Sequence, residues 1–223
     1  SIIQELEKNG VDMIEIGLPF SDPLADGPTI QESSTIAIEN GMTTSLLFEQ
    51  LKDIRELVQI PLIIMGYFNP MMQFGMEKFC QKCAEVGIDG LIIPDLPLFV
   101  YETEYKAIFE KYNLKNIFLI SPQTSVERIQ QIDAISDSFI YMVSSAAVTG
   151  SQSGFGSEQM DYFKRIADLN LKNPQIVGFG IKDEETFQQA TQYQKGAIIG
   201  SAFINFLKEN SISEIFKFVN KIK

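Results

Sequence analysis

The chain has 223 residues, of which 45% are hydrophobic and 21% are charged, a composition typical of an ordinary globular protein. It carries 18 lysines and arginines against 29 aspartates and glutamates, and the resulting net charge of −11 argues against nucleic-acid and membrane-surface partners. Histidine is absent, which excludes Ser-His-Asp and Cys-His catalysis and histidine-ligated metals, so acid–base chemistry near neutral pH must come from other side chains.

The chain opens with a short helical pattern over residues 2–9, which Gly10 ends. This acidic, amphipathic start is not typical of a signal or transit peptide, and no run of about 18 apolar residues predicts a membrane span. Seven apolar runs of strand length follow, with the little alternation that is typical of parallel strands covered on both faces. They lie at 12–20, 61–68, 90–97, 116–122, 138–145, 174–180 and 196–201.

Helical patterns separate these runs. The first, at 46–57, could be capped by Thr44 or Ser45, and later helices are predicted to begin after Ser125 and Ser157. The α-β alternation allows either an open doubly wound sheet or a closed (β/α)₈ barrel. No G-x-G-x-x-G sequence follows the first strand, which weakens the dinucleotide-binding version of the open sheet.

Cys80 and Cys83 fall inside another helical pattern. Redox-active Cys-x-x-Cys pairs sit at a helix N-terminus, and two cysteines without histidine cannot complete a four-ligand zinc site. We therefore expect two buried core thiols and no metal. Free thiols favour a reducing, cytoplasmic location.

Glu15 is a charged residue in the middle of an apolar strand, where an unpaired carboxylate costs several kcal/mol. It is either a buried glutamate paired with a neighbour or a carboxyl group whose raised pKa suits proton transfer. Asp22 and Asp26 follow on a loop stiffened by prolines, where an aspartate also commonly serves only to form a turn.

Glycine-bearing turns end the last two strands, at 178–181 and 200–202. Such turns present backbone N–H groups to an anion, and in a (β/α)₈ barrel the loops after strands seven and eight commonly bind phosphate. The small, polar run at 144–157 could form a lid over a ligand or a plain surface loop.

Taken together, these segments resemble the family of tryptophan synthase α subunits. The resemblance covers nearly the whole chain in order. Its motifs are IEIGLPFSDPLADG at 14–27, YFNP at 67–70, IPDLP at 93–97, Tyr141, VTG at 148–150, GFG at 178–180 and GS at 200–201.

The resemblance implies a (β/α)₈ TIM barrel and a lyase that cleaves indole-3-glycerol phosphate by a retro-aldol step to indole and glyceraldehyde 3-phosphate. It implies that Glu15 is the general acid–base, that Asp26 accepts a hydrogen bond from the indole N–H, and that Tyr141 lines the pocket near both. The substrate-binding residues that it implies are Met65, Tyr67, Ile92 and Phe179 around the indole, Gly150, Gly180, Gly200 and Ser201 at the phosphate, and Thr149 in the closing loop.

The resemblance also implies a partner, the β subunit of an α2β2 complex, which receives indole internally to make L-tryptophan. Pyridoxal phosphate belongs to that β subunit, so no cofactor is expected here. The positions that face the partner are Asp22, Pro23, Asn69 and Pro97. Two other functions stay open: a non-catalytic regulatory subunit that activates a β-type partner, and another phosphate-binding barrel isomerase.

An eight-unit barrel typically needs about 250 residues, and only seven strand runs are visible. The resemblance places the opening helix directly before the second strand of the family's barrel. We therefore expect residues 1–223 to form a single TIM-barrel domain that lacks its first strand and is incomplete at its N-terminus. Unpaired edges on strands two and eight would then favour aggregation.

Overall fold

The computed structural model describes residues 1–23, 26–144 and 154–222. It divides the chain into two compact units, Ser1–Asn116 and Ile117–Lys223. The described residues form two four-stranded sheets, in each of which the strands lie side by side in chain order, and every registered pair of neighbouring strands is parallel.

The first unit contains β1 (Ile14–Gly17), β2 (Leu62–Met65), β3 (Gly90–Ile92) and the first two residues of β4 (Lys115–Ile117). Its helices are α1 (Ile2–Lys8), α2 (Pro28–Glu39), α3 (Thr44–Leu51), α4 (Phe68–Phe74), α5 (Met76–Val86), α6 (Leu98–Val100) and α7 (Lys106–Lys111), with a π-helical turn at Tyr101–Tyr105. Gly17 pairs with Met65, and Met65 pairs with Ile92, so the carboxyl ends of β1, β2 and β3 lie at one edge of the sheet.

Helix α5 shows why an apolar stripe forms a helix here, because its buried residues recur at three- and four-residue spacing. Cys80 and Cys83 lie on that stripe, both fully buried and free, which confirms the prediction of two core thiols. Burial raises the pKa of Cys80 to about 12 and moves the pKa of Cys83 in the same direction. Neither thiol is therefore a thiolate at neutral pH.

The second unit contains β5 (Leu119–Ile120), β6 (Ile140–Val143), β7 (Gln175–Gly178) and β8 (Gly196–Ala197). Its helices are α8 (Val126–Ile135), α9 (Ser157–Asp168), α10 (Glu184–Thr191), α11 (Ser201–Glu209) and α12 (Ile215–Ile222). Ser125 caps α8 as predicted, because its side chain accepts a hydrogen bond from the Arg128 N–H. Val143 pairs with Gly178, which aligns the carboxyl ends of β6 and β7.

All seven predicted runs contain strand, although each strand is shorter than its run. The run at 116–122 contributes two strands instead of one, because its backbone bonds change partner at Phe118. The Lys115 N–H donates to Asp89 O in the first unit, whereas Phe118 O accepts from the Tyr141 N–H in the second.

One helix cap was predicted wrongly, and one helix was missed. The cap of α3 is Thr43, whose hydroxyl accepts from the Leu46 N–H at 3.1 Å, and not Thr44 or Ser45. Helix α2 was not predicted at all, because it buries none of its residues and so leaves no apolar stripe in the sequence.

Within 1–23, 26–144 and 154–222, no helix is both long enough and apolar enough to cross a bilayer.

The organisation of residues 1–223 as a single TIM-barrel domain stays a prediction.

Candidate active site

Glu15 occupies the middle of β1, in register with Ile63 of β2. The residue as a whole is partly exposed, but its Oε2 atom is buried and has no hydrogen-bond partner among the described residues. Burial, and to a smaller extent the negative charge of Asp26, raises the pKa of Glu15 from 4.5 to about 7. This carboxyl group can therefore both donate and accept a proton near neutral pH.

Asp26 lies on the loop between β1 and α2. Its Oδ2 accepts a hydrogen bond from the Tyr67 hydroxyl at 3.2 Å, and its backbone carbonyl accepts one from Gln31 Nε2 at 2.8 Å. Burial raises the pKa of Asp26, and the Tyr67 hydrogen bond opposes that rise. Glu15 and Asp26 are thus two neighbouring carboxyl groups in different environments, the arrangement that separates acid and base roles.

Tyr67 precedes α4, and its ring packs against Phe20 with the ring centroids 5.2 Å apart. The Phe68 N–H donates to Asp95 Oδ1 at 2.8 Å, which fixes the chain immediately after Tyr67. Neither Phe20 nor Asp95 was singled out from the sequence. The proline-rich loop offered Phe20 as its only aromatic residue, a signal that could have found it.

Met65 and Ile92 pair in register at the carboxyl ends of β2 and β3. Ile92 is fully buried and Met65 is half-buried. The first unit therefore brings both predicted carboxyl groups, Tyr67 and this apolar pair onto one sheet and the segments that follow its strands.

In the second unit, Tyr141 and Phe179 come together, with ring centroids 6.1 Å apart and ring planes at 67°. Tyr141 is buried in β6, and its ring lies over Gly178 of β7. A Cβ atom on Gly178 would lie 2.0 Å from the Tyr141 hydroxyl oxygen, so a side chain at this position would displace the Tyr141 ring.

The turn after β7 contains two consecutive residues with left-handed backbone, Phe179 at φ 68° and Gly180 at φ 76°. Gly200 and Ser201 begin α11, at the point where the chain leaves β8. Gly180, Gly200 and Ser201 are exposed residues, as an anion site built from backbone N–H groups would require.

The other predicted positions are exposed, half-buried or outside the described residues. Asp22, Asn69 and Pro97 are exposed and Pro23 is half-buried. Thr149 and Gly150, with most of the predicted lid, lie outside the described residues. Within the described ranges, no three Cys, Asp or Glu side chains come together as metal ligands would.

Comparison with known proteins places the chain in a family. A family model described as tryptophan synthase alpha chain matches residues 1–222. Among similar proteins are the tryptophan synthase alpha chains of Flavobacterium psychrophilum and Flavobacterium johnsoniae, each 72% identical to this chain. The first match covers 99% of this chain and 87% of that protein, and the second covers 100% and 88%.

Solved structures agree. The tryptophan synthase A-subunit of Pyrococcus furiosus is 30% identical, with a TM-score of 0.89 over 99% of this chain and 89% of that one. The alpha subunit of Legionella pneumophila is 29% identical, with a TM-score of 0.86 over 99% and 84%. These likenesses confirm the (β/α)₈ fold class. The chain therefore belongs to the tryptophan synthase alpha chain family, lyases of tryptophan biosynthesis.

Proposed function

We propose that this chain cleaves indole-3-glycerol phosphate by a retro-aldol reaction. The Glu15 carboxyl group gives its proton to C3 of the indole ring, and the Glu15 carboxylate then takes the proton of the adjacent glycerol hydroxyl. The carbon–carbon bond breaks, its electron pair returns to the ring, and indole and glyceraldehyde 3-phosphate are released. The observation that carries this proposal is the buried, unpartnered Oε2 of Glu15, whose carboxyl group has a pKa of about 7.

Asp26 is assigned to the indole N–H. Protonation at C3 makes the ring a cation, and a fixed negative charge near its nitrogen stabilises the transition state. The hydrogen bond from Tyr67 holds the Asp26 carboxylate in place and opposes its protonation. Tyr141 and Phe179, with Met65, Tyr67 and Ile92, are assigned to the indole pocket.

We assign the phosphate to backbone N–H groups at Gly180, Gly200 and Ser201, and extend the assignment to Gly150, with Thr149 closing the loop. A chain of net charge −11 has no general attraction for an anion, so local N–H dipoles suit this task. The chemistry proposed needs no cofactor on this chain.

We further propose that the chain works in the cytoplasm with a β subunit, as an α2β2 complex in which pyridoxal phosphate belongs to the partner. The exposed positions Asp22, Asn69 and Pro97 and the half-buried Pro23 are assigned to that contact. Two buried, reduced thiols favour a reducing compartment.

An indole-release assay on the chain, with and without added β subunit, tests the proposal. Intrinsic release of indole, accelerated by the partner, is the expected result. Activation of the β subunit without any indole release from indole-3-glycerol phosphate would favour the regulatory alternative and contradict the proposal.

The pH profile of cleavage should fall on both sides of an optimum. The rate should decrease as the pH rises through about 7, because Glu15 loses the proton that it must donate. The rate should also decrease in acid, where Asp26 becomes neutral. Initial rates of indole release from pH 4 to pH 9 measure both limbs, and a profile that keeps rising above pH 8 would contradict the role of Glu15.

Tyr67→Phe should reduce cleavage about tenfold and move the acid limb to higher pH, because Asp26 loses the hydrogen bond that opposes its protonation. The phenyl ring keeps its packing against Phe20. Tyr105→Phe is the matched control, since Tyr105 packs against Phe68 with ring centroids 5.5 Å apart and has no assigned role. Equal pH profiles for the two variants would remove Tyr67 from the proposed mechanism.

A further inference from the structure

Ser144, the residue after β6, donates one hydrogen bond to the last residue of β7 and a second to the turn that follows it. Its backbone N–H donates to Gly178 O at 3.1 Å, and its side-chain Oγ donates to the carbonyl oxygen of Phe179 at 2.8 Å. Ser144 is only 2% exposed, so water does not compete for this hydroxyl. A buried side chain directly after the neighbouring strand therefore takes part in fixing the turn.

The hydrogen bond to Phe179 fixes the direction of an entire peptide group. The carbonyl of Phe179 and the N–H of Gly180 belong to the same planar trans peptide, and they point in opposite directions. Because Ser144 holds the carbonyl, the Gly180 N–H points away from Ser144. Rotating this peptide by half a turn would exchange the positions of the Phe179 carbonyl and the Gly180 N–H. The Ser144 hydroxyl therefore determines which of the two groups points away from Ser144.

The turn needs such support because its backbone is not intrinsically favourable. Phe179 has a φ of 68°, a left-handed conformation that a residue with a bulky side chain rarely adopts. Tyr141 packs against the ring of Phe179, and Phe155 lies beside Gly180. The Ser144 hydroxyl differs from these ring contacts because it acts on the peptide group itself.

We propose that Ser144 is a positioning residue that aims the Gly180 N–H at the phosphate of the substrate. The proposal rests on the proposed function, in which this N–H binds the phosphate of indole-3-glycerol phosphate. With the peptide reversed, a carbonyl oxygen would face a doubly charged anion, and attraction would become repulsion. Ser144 touches none of the reacting atoms, so it acts on phosphate affinity and not on carbon–carbon bond cleavage.

Three variants test this role. Ser144→Ala removes the hydroxyl, Ser144→Thr keeps one, and Ser136→Ala is a matched control in the same unit. Ser136 is 3% exposed, and its hydroxyl has no hydrogen-bond partner among the described residues, so it is equally buried without holding any group. The readouts are KM and kcat for cleavage, the Kd of inorganic phosphate from the amide resonance of Gly180, and the thermal midpoint.

Ser144→Ala should raise KM and the phosphate Kd together by about tenfold, the size expected for a hydrogen bond to a charged group. Its kcat should change far less. Ser144→Thr should keep both constants near those of the wild type, and Ser136→Ala should change neither.

A lower kcat at unchanged KM, or equal effects of Ser144→Ala and Ser136→Ala, would overturn the positioning role and leave the proposed function standing. Failure of the wild-type chain to bind phosphate at Gly180 would overturn the proposed phosphate site, and this proposal with it. If Ser144→Ala proves unstable, wild-type affinity in Ser144→Cys, which carries a far weaker donor, would overturn it equally.

Discussion

Glu15→Gln should abolish indole release, lowering the rate of cleavage by at least about a thousandfold, the range expected for loss of a general acid–base. Glutamine keeps the size and the polarity of the side chain but can neither donate the proton to C3 nor accept the hydroxyl proton. The affinity for inorganic phosphate should stay near that of the wild type, because the substitution changes none of the backbone N–H groups assigned to the phosphate. Appreciable indole-3-glycerol phosphate cleavage by this variant would remove Glu15 from the mechanism.

The same substitution should make the fold more stable in alkaline solution. The pKa of Glu15 is 4.5 when the chain is unfolded and about 7 when it is folded, so between these values the folded chain binds a proton that the unfolded chain has released. Stability therefore falls as the pH rises from 4.5 through 7, by a total on the order of 3 kcal/mol. Glutamine removes this dependence.

Urea unfolding at pH 4 and pH 8 measures the effect. Relative to the wild type, Glu15→Gln should gain stability at pH 8 by an amount approaching that figure, and it should gain little at pH 4. Asp12→Asn is the control, because Asp12 is an exposed carboxylate just before β1. A gain of the same size at both pH values would show that the pKa of Glu15 is not raised by folding. Loss of activity together with a gain in stability would identify Glu15 as a group kept for function.

The positions of the strands could be predicted from the sequence because buried strands are built from apolar residues, which the sequence shows directly. Parallel strands that are covered on both faces need continuous apolar runs, and the seven predicted runs coincide with the strands of the described residues. Glu15 stood out against this background for the same reason, since a charge within an apolar run needs an explanation. The cysteines of α5 followed from helical spacing.

The rest depends on contacts between segments distant in the chain, which carry no local signal. Helix α2 buries no residue, so its sequence has no apolar stripe that helical periodicity could detect. The hydroxyl of Ser144 bonds a residue 35 positions away, and Asp95 bonds one 27 positions away. The left-handed backbone of Phe179 is a conformation that local preference would assign to glycine or asparagine. Pairing between Tyr67 and Phe20 likewise exists only once the strand ends meet.

Gly178→Ala should be among the most damaging small substitutions in the second unit. The new methyl group would lie 2.0 Å from the hydroxyl oxygen of Tyr141 and 2.2 Å from its Cζ, so the ring must leave its place beneath Phe179. Gly178 and Tyr141 are both buried, and a displaced aromatic ring has no space to enter without moving its neighbours. We expect a loss on the order of 3 kcal/mol in the free energy of unfolding, together with lower cleavage activity.

Gly17→Ala is the matched control, because Gly17 ends β1 as Gly178 ends β7, and a Cβ atom there meets nothing within 4 Å. It should change stability by less than about 1 kcal/mol. The collision itself is isolated by the double variant Tyr141→Ala with Gly178→Ala. Since the alanine methyl harms the fold only by displacing the ring, the double variant should be more stable than the sum of the two single losses predicts, by about 2 kcal/mol. Additive losses would mean that Gly178 is needed for its backbone and not for the space that it leaves to Tyr141.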